Sequence, residues 1–191
     1  MIIEYDKKNR FMKGILFALI FILTTGITEA QEIKWMTMNE ALVAQKKQPK
    51  KILMDAYTTW CGPCKLMDEK TFTNKDVVNY VNKHYYAVKF NTEGTEEVTY
   101  KDFKYTNPNY DPNRKGRNSQ HFFAHALKIT GYPSIVFFDE ESNVIAPIMG
   151  YRTPQQMEIY LKMMANDDFK KLTTQEAWDK YEKGFKGTFK N

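Results

Sequence analysis

Apolar and polar positions follow one another along the chain with the periods of short helices and short strands. An apolar pattern with helical spacing comes after Thr37-x-x-Glu40, a pair that can close a capping box. This pattern predicts a helix at about 38–47. The next apolar run, residues 51–58 (KILMDAYT), has the length of a strand and precedes a Gly-Pro motif, which predicts a buried strand.

The following segments alternate between helix and strand. Residues 61–70 and 74–83 have helical spacing, and residues 85–91 (YYAVKFN) alternate as a strand does. A helical connection between two strands is typical of a parallel pair joined by a crossover. We therefore expect the strands at 51–58 and 85–91 to run parallel in one sheet.

An irregular stretch, residues 92–118, then breaks the pattern with many Asn, Pro and Asp residues. This composition indicates a long loop without regular elements, and a loop of that length in a compact domain is typically functional or mobile. Residues 119–130 are predicted as a helix that stops at Gly131. Its apolar face would consist of Phe122, Phe123, Ala126 and Leu127.

The C-terminal third predicts a hairpin and two helices. Residues 134–139 and 144–150 are strands joined by a short turn, which gives an antiparallel pair. The helices begin at Thr153-Pro154-Gln155-Gln156 and Thr173-x-x-Glu176, and the last one ends near Gly184. Both starts carry a capping hydroxyl with a Gln or Glu three residues later.

Composition indicates one folded domain. The 191 residues are 42% hydrophobic, and 28 Lys and Arg against 23 Asp and Glu give a net charge of +5.

The loop mixes basic residues with aromatic ones (Tyr100, Phe103, Tyr105, Tyr110), a combination that can bind single-stranded nucleic acid. Packing of these rings against the domain is the simpler interpretation, so we expect no nucleic-acid partner. Two cysteines exclude a disulfide-dense scaffold.

The most hydrophobic run, residues 14–27, is shorter than the ~20 residues that span a bilayer. With a basic start and small residues at Thr28 and Ala30, it predicts a signal peptide at 1–30, cleaved after Ala30. Met12 is a more natural start for such a segment than Met1. An uncleaved membrane anchor is the alternative. We expect the mature protein, 31–191, to be periplasmic or secreted.

The strongest chemical signal is Trp60-Cys61-Gly62-Pro63-Cys64-Lys65, between a predicted strand and a predicted helix. Two thiols separated by two residues at a helix start can form a small disulfide ring. The first sulfur then lies near free backbone N–H groups and the helix dipole, which favour a thiolate. This arrangement predicts thiol–disulfide exchange.

This segment resembles the active site of the thioredoxin superfamily, and three further matches support the resemblance. Asp55, six residues before Cys61, matches the buried carboxylate that manages the proton of the second cysteine. Lys89 matches the lysine beside that carboxylate. Gly131-Tyr132-Pro133 matches the loop whose cis-proline faces the dithiol. The resemblance covers about 51–161.

Within the superfamily, two runs resemble the C-terminal domain of bacterial transmembrane thiol–disulfide interchange proteins. They are Cys64-Lys65 with Lys70-Thr71-Phe72-Thr73, and residues 132–139 (YPSIVFFD). The resemblance implies an α/β fold, a thioredoxin-like sandwich with a central mixed sheet flanked by helices. The stretch 92–118 would be an insertion, and the C-terminal helices an extension.

The resemblance also implies roles for individual residues. The catalytic residues would be Cys61, Cys64, Asp55 and Lys89. The substrate-binding residues would be Trp60, Gly62, Pro63, Tyr132 and Pro133. The implied partners are protein disulfide or dithiol substrates and a membrane electron carrier as reductant, with the protein acting as a monomer. Gly-Pro between the cysteines favours reduction over oxidation, and the reaction needs no cofactor.

Four alternatives remain open at this point. Asp55 and Lys89 could be a purely structural ion pair, and Tyr132 a core aromatic residue. Cys61-x-x-Cys64 with His121-x-x-x-His125 has the residue types of a Cys₂His₂ zinc site, although the 56 residues between the pairs far exceed the zinc-finger spacing of ~12–15. We therefore expect no metal. A client-binding or chaperone module with this fold and no turnover is the alternative function.

Overall fold

A computed structural model describes residues 32–190 of the chain, and the predicted signal peptide lies outside the described residues. In chain order the elements are β1 (Trp35–Met36), α1 (Met38–Lys47), β2 (Lys51–Tyr57), α2 (Gly62–Lys70), α3 (Lys75–His84), β3 (Tyr85–Asn91), β4 (Val98–Tyr100), β5 (Phe103–Tyr105), α4 (Phe122–Ala126), β6 (Ser134–Phe138), β7 (Val144–Met149), α5 (Pro154–Ala165), a 3₁₀ helix (Asp168–Lys171) and α6 (Gln175–Gly184).

Five of these strands form a mixed sheet in the order β1-β3-β2-β6-β7. Strand β3 runs parallel to β1 and β2, whereas β6 is antiparallel to both β2 and β7. The parallel pair joined by helices and the C-terminal hairpin are both confirmed. With helices on both faces of the sheet, the predicted thioredoxin-like sandwich is confirmed as well.

Two apolar cores lie on the two faces of the sheet, because side chains alternate along each strand. On β2, Leu53 belongs to the core that contains residues of α2, α3 and α5, including Met67 and Leu161. Ile52 and Met54 belong to the other core, with residues of α1 and α4. All of these side chains are fully buried. By the same alternation, Asp55 shares the face of Leu53 and α2.

Local signals set most helix starts. Thr37 and Thr153 each accept a hydrogen bond from a backbone N–H three residues on, and both capping boxes are complete. Thus α1 begins and ends as predicted. The last helix begins one residue later than predicted, because Thr174 and not Thr173 accepts the N–H of Ala177.

The expectation of no regular element in 92–118 was wrong in its first half, where β4 and β5 form an antiparallel hairpin. Val98 and Tyr100 are buried, and the Tyr100 ring packs against Phe138 of the main sheet. The turn consists of Lys101 and Asp102, whose φ angles of 50° and 62° are left-handed. Burial of apolar side chains therefore stabilises this hairpin despite its irregular flanks.

The predicted helix 119–130 was too long, since only α4 is helical. His121 is its N-cap and accepts the Phe123 N–H through its side chain. At the other end Ile129 N–H donates to Ala124 and Lys128 N–H to His125, with Lys128 at φ 57°. This is a Schellman motif, so the helix stops well before Gly131.

The predicted apolar face of that helix was correct for two residues of four. Phe123 and Leu127 are buried, whereas Phe122 and Ala126 are exposed. The reason is that the insertion covers one side of this short helix. Two of its aromatic residues, Tyr100 and Tyr105, pack on Phe123 with ring centroids 5.4 Å away. This contact agrees with packing of the insertion against the domain.

Candidate active site

The two cysteines lie where β2 leads into α2. Cys61 is the N-cap of α2, and its Sγ accepts the Cys64 backbone N–H at 3.2 Å. Gly62 and Pro63 begin the helix, where proline is tolerated because the first N–H groups of a helix have no partner within it. Cys61 and Cys64 form a disulfide with Cα atoms 5.3 Å apart. The helix N-terminus beside this pair favours a thiolate.

Cys61 lies on the wall of an open groove of about 880 Å³. Four of the predicted substrate-binding residues line the same groove: Trp60, Gly62, Pro63 and Tyr132. Both cysteines are buried, but Cys64, like the buried Pro133, does not line the groove. The groove therefore gives access to the first cysteine of the pair.

Contacts with Trp60 and Gln120 hold Tyr132 in place on the wall of the groove. The Tyr132–Pro133 peptide bond is cis, as the resemblance implied. The ring of Tyr132 meets Trp60 edge to face, with centroids 5.9 Å apart. Its hydroxyl accepts a hydrogen bond from Gln120 Nε2 at 3.0 Å, and the same nitrogen donates to the Ile129 carbonyl. Tyr132 is half-buried: it lines the groove and also packs against the apolar core on this face of the sheet.

Asp55 and Lys89 form an ion pair between adjacent strands. They are register neighbours on β2 and β3, with Lys89 Nζ 2.6 Å from Asp55 Oδ2. Lys89 also forms an ion pair with Asp68 of α2. The sequence analysis did not include Asp68 among the site residues. The ammonium also lies 4.9–5.5 Å from the centroids of three aromatic rings, a cation–π arrangement. These rings belong to Trp35, Tyr57 and Phe72.

Burial controls the ionisation of this pair. Asp55 is 1% exposed, and burial raises its pKa to about 6 although the Lys89 ammonium opposes the rise. Burial alone lowers the pKa of Lys89, but the carboxylates of Asp55 and Asp68 outweigh it and the pKa is raised. Asp55 Oδ1 is buried and has no hydrogen-bond partner among residues 32–190. A carboxyl group with these properties can take up a proton near neutral pH.

The end of the insertion touches the active site, which the sequence analysis did not predict for any named residue. The guanidinium of Arg117 lies 4.3 Å from the centroid of the Trp60 ring. Trp60 Nε1 and the Asn118 N–H both donate to Glu93 Oε2, each at 2.8 Å. Glu93 could have been found from the sequence, because it follows the end of β3 by two residues. The end of this strand in a thioredoxin-like fold lies near the cysteine pair.

His121 of the zinc alternative caps a helix. His121 is buried, its Nδ1 accepts the Phe123 N–H, and its Nε2 lies 2.7 Å from the Glu96 carbonyl oxygen. This network assigns the ring proton to Nε2 and leaves neither nitrogen free. Within residues 32–190, no group of three or more His, Cys, Asp or Glu side chains is arranged to hold a metal ion.

The fold and the cysteine pair together define a thioredoxin-like protein. The profile of the family described as a thioredoxin-like domain matches residues 38–165, more than half of the chain. The chain therefore belongs to this family, and the resemblance to the thioredoxin superfamily is confirmed.

Among known proteins, the chain is similar to the thiol:disulfide interchange protein DsbD of Pectobacterium atrosepticum, with 24% identity over 141 residues. The match covers 73% of this chain and 20% of that protein, so the chain corresponds to a fifth of this relative's length. In the described part of the chain, no helix has the length and apolar character needed to cross a membrane.

Two solved structures share the fold. A thioredoxin-fold protein from Helicobacter pylori aligns with a TM-score of 0.56 and 16% identity, covering 82% of this chain and 87% of its own. A thioredoxin from Thermus thermophilus aligns with a TM-score of 0.52 and 12% identity, covering 69% of this chain and 86% of its own.

Proposed function

We propose that the protein is an exported thiol–disulfide oxidoreductase that reduces protein disulfides through Cys61 and Cys64. One observation carries the proposal: the pair lies at a helix N-terminus, and of its two buried cysteines, 3% and 2% exposed, only Cys61 lines the open groove. This asymmetry suits attack by the sulfur that a client reaches first and resolution by the other. Similarity to a thiol:disulfide interchange protein supports this class of reaction.

The proposed reaction has two exchange steps. The Cys61 thiolate attacks one sulfur of a client disulfide, which forms a mixed disulfide and releases the other client sulfur as a thiolate. Cys64 then loses its proton, and its thiolate attacks the Cys61 sulfur and releases the second client sulfur. The client gains two electrons, its two thiolates take up one proton from Cys64 and one from water, and the protein is left with the Cys61–Cys64 disulfide.

Asp55 is the proposed base for the Cys64 thiol, and Lys89 is its positioning residue. The pKa of about 6 lets Asp55 take up this proton at neutral pH and release it again. Lys89 holds Oδ2 of Asp55, so the second oxygen, which has no hydrogen-bond partner among the described residues, is the one available for the proton. A purely structural ion pair would not need this oxygen buried and unpaired.

Each turnover consumes the dithiol, so a reductant must restore it. An exported domain has no direct access to nicotinamide-driven reductases, and we therefore propose a membrane electron carrier as the electron donor. The similarity to DsbD supports a membrane reductant of this kind. The protein would act as a monomer on client proteins, with its two cysteines as the redox group.

The alternative function is a client-binding module without turnover. The wide groove and its aromatic residues Trp60 and Tyr132 favour that reading, because such surfaces also hold peptides. Reduction of insulin by dithiothreitol distinguishes the two functions. We expect the Cys61→Ser variant to lose about 90% or more of the rate above the uncatalysed reaction. Full activity in this variant would contradict the oxidoreductase proposal.

Export is a separate part of the proposal, and residues 1–30 are its proposed signal. The supporting observation is the short apolar run that ends at Thr28 and Ala30. N-terminal sequencing of the protein from its native host should begin at Gln31 or within a few residues of it. Full-length protein in the cytosolic fraction would contradict export.

A further inference from the structure

The groove beside Cys61 carries charges that differ in their availability to a ligand. Arg117 and Lys128 line it, both are exposed, and neither forms an ion pair within residues 32–190. Glu93 also lines it but is half-buried, and its Oε2 already accepts two hydrogen bonds, from Trp60 and Asn118. A molecule entering the groove therefore meets a net positive charge.

Arg117 is oriented by the ring beneath it. Its guanidinium lies 4.3 Å from the centroid of the Trp60 ring, and that ring is fixed by Glu93 on its nitrogen and by Tyr132 at its edge. A guanidinium that stacks on an aromatic face keeps its N–H edge free for a carboxylate, which it can bind with two hydrogen bonds. Arg117, Trp60 and Cys61 line the same groove, so a client disulfide that reaches Cys61 enters the space that Arg117 lines.

The segment that supplies Arg117 is anchored at both ends. The Asn107 side chain is buried and donates to the carbonyls of Gly94 and Ser119. Asn118 exchanges two hydrogen bonds with the backbone of Asp111. These bonds close the segment on itself next to the groove. Arg117 is thus presented by a structured loop, as recognition residues often are.

We propose that Arg117 is a specificity-determining residue that selects client segments with an Asp or Glu side chain close to their disulfide. The inference rests on the proposed function, because it names the substrate class of the same groove. The exchange steps are unchanged, and only binding of the client is affected. Lys128 adds attraction for the same acidic segments at longer range.

The test compares three disulfides with the fully reduced full-length protein. Two are synthetic cyclic peptides that differ only in whether Glu or Lys flanks the cystine, and the third is the uncharged bis(2-hydroxyethyl) disulfide. Acid quenching, alkylation and mass spectrometry give the second-order rate constant for oxidation of the protein. We expect the wild type to react at least about threefold faster with the Glu peptide than with the Lys peptide at 0.1 M salt. The preference should shrink at 1 M salt, where charges are screened beyond about 3 Å.

Two substitutions and a matched control identify the residue responsible. Arg117→Glu should lower the Glu-to-Lys rate ratio about three- to tenfold, and Arg117→Ala should lower it less, because repulsion is not added. Arg114→Glu makes the same charge change in the same loop outside the groove lining, and should keep the wild-type ratio. If Arg117→Glu does not fold, Arg117→Ala against Arg114→Ala decides the question.

The outcomes separate this proposal from the proposed function. A wild-type ratio near one, a preference for the Lys peptide, or equal effects at positions 117 and 114 would overturn the role of Arg117 while exchange itself proceeds. Absence of exchange with all three disulfides would overturn the proposed function, and the client selection with it.

Discussion

Replacing the buried carboxyl group of Asp55 by an amide should stabilise the oxidised protein at alkaline pH. Burial raises the pKa of Asp55 from 3.8 to about 6, so the folded protein binds this proton more tightly than the unfolded chain. Ionisation of Asp55 therefore lowers the free energy of unfolding. This destabilisation is small below pH 4, grows as the pH rises from 4 to 6, and stays constant above pH 6. At about 1.4 kcal/mol per pKa unit, the full cost is about 3 kcal/mol.

Asp55→Asn removes this cost but also takes one of two carboxylates from Lys89. Asp68 still contacts the ammonium, so the loss is only partial. We expect a net gain of about 1–3 kcal/mol in the free energy of unfolding at pH 8, and little gain at pH 4. Urea unfolding of the oxidised proteins at both pH values measures the difference, with the slope against urea unchanged.

Asp68→Asn is the matched control, because it removes a carboxylate from the same ammonium at a side chain that is 42% exposed. Its removal should leave stability unchanged or lower it by up to about 1 kcal/mol, since exposed ion pairs contribute little. An Asp55→Asn variant less stable than the wild type at pH 8, or a gain of equal size at pH 4 and pH 8, would contradict a raised pKa of Asp55 in the folded protein.

Two further predictions concern stability. Asn107→Ala leaves two carbonyls without their donor and should lower the unfolding free energy by about 1–3 kcal/mol; an unchanged urea midpoint would count against this. Glu158 is fully buried, and although burial raises its pKa, donors including Lys162 and Thr188 outweigh this and lower it. Ionised Glu158 therefore stabilises the folded protein above the ordinary pKa of a glutamate, and this stabilisation is lost as the pH falls through the lowered pKa of Glu158. Glu158→Gln should thus speed hydrogen exchange of residues 185–190 at pH 7, and wild-type exchange rates there would contradict the role.

Elements whose causes are local could be predicted from the sequence. The capping boxes at Thr37 and Thr153 fix helix starts through side chains three residues apart. The cysteine pair follows a strand and opens a helix, and Asp55 and Lys89 occupy neighbouring register positions on two parallel strands. Periodicity and motif spacing contain the information for the helix starts and the cysteine pair, whereas the pairing of Asp55 with Lys89 was implied by the resemblance to the thioredoxin superfamily.

Elements that depend on distant packing could not be predicted in the same way. The β4–β5 hairpin has short strands and a turn of Lys101 and Asp102 without glycine, so its local signal is weak. Its stability comes from Tyr100 on Phe138, a contact between residues far apart in sequence. Likewise α4 ends early because Lys128 adopts a left-handed conformation that the sequence pattern does not indicate.

The candidate site shows the same division. Asp68 lies four residues after Cys64 on one helix, so helical periodicity could have placed its carboxylate on the face of the cysteine pair. The contact of Arg117 with Trp60 has no such signal, because it requires the loop to close. His121 carries a motif-like spacing with His125, yet its function is to cap a helix.

Trapping of the mixed disulfide shows whether Cys61 attacks client disulfides and Cys64 resolves the product. With Cys64→Ala, a client disulfide attacked by Cys61 has no resolving thiol, and the two proteins stay covalently joined. Reduced Cys64→Ala protein is mixed with a disulfide-containing client under non-reducing conditions and analysed by mass spectrometry. We expect an adduct of protein plus client, linked through Cys61 and released by dithiothreitol, and none with Cys61→Ala. No adduct with Cys64→Ala, or equal adducts with both variants, would contradict these roles of Cys61 and Cys64.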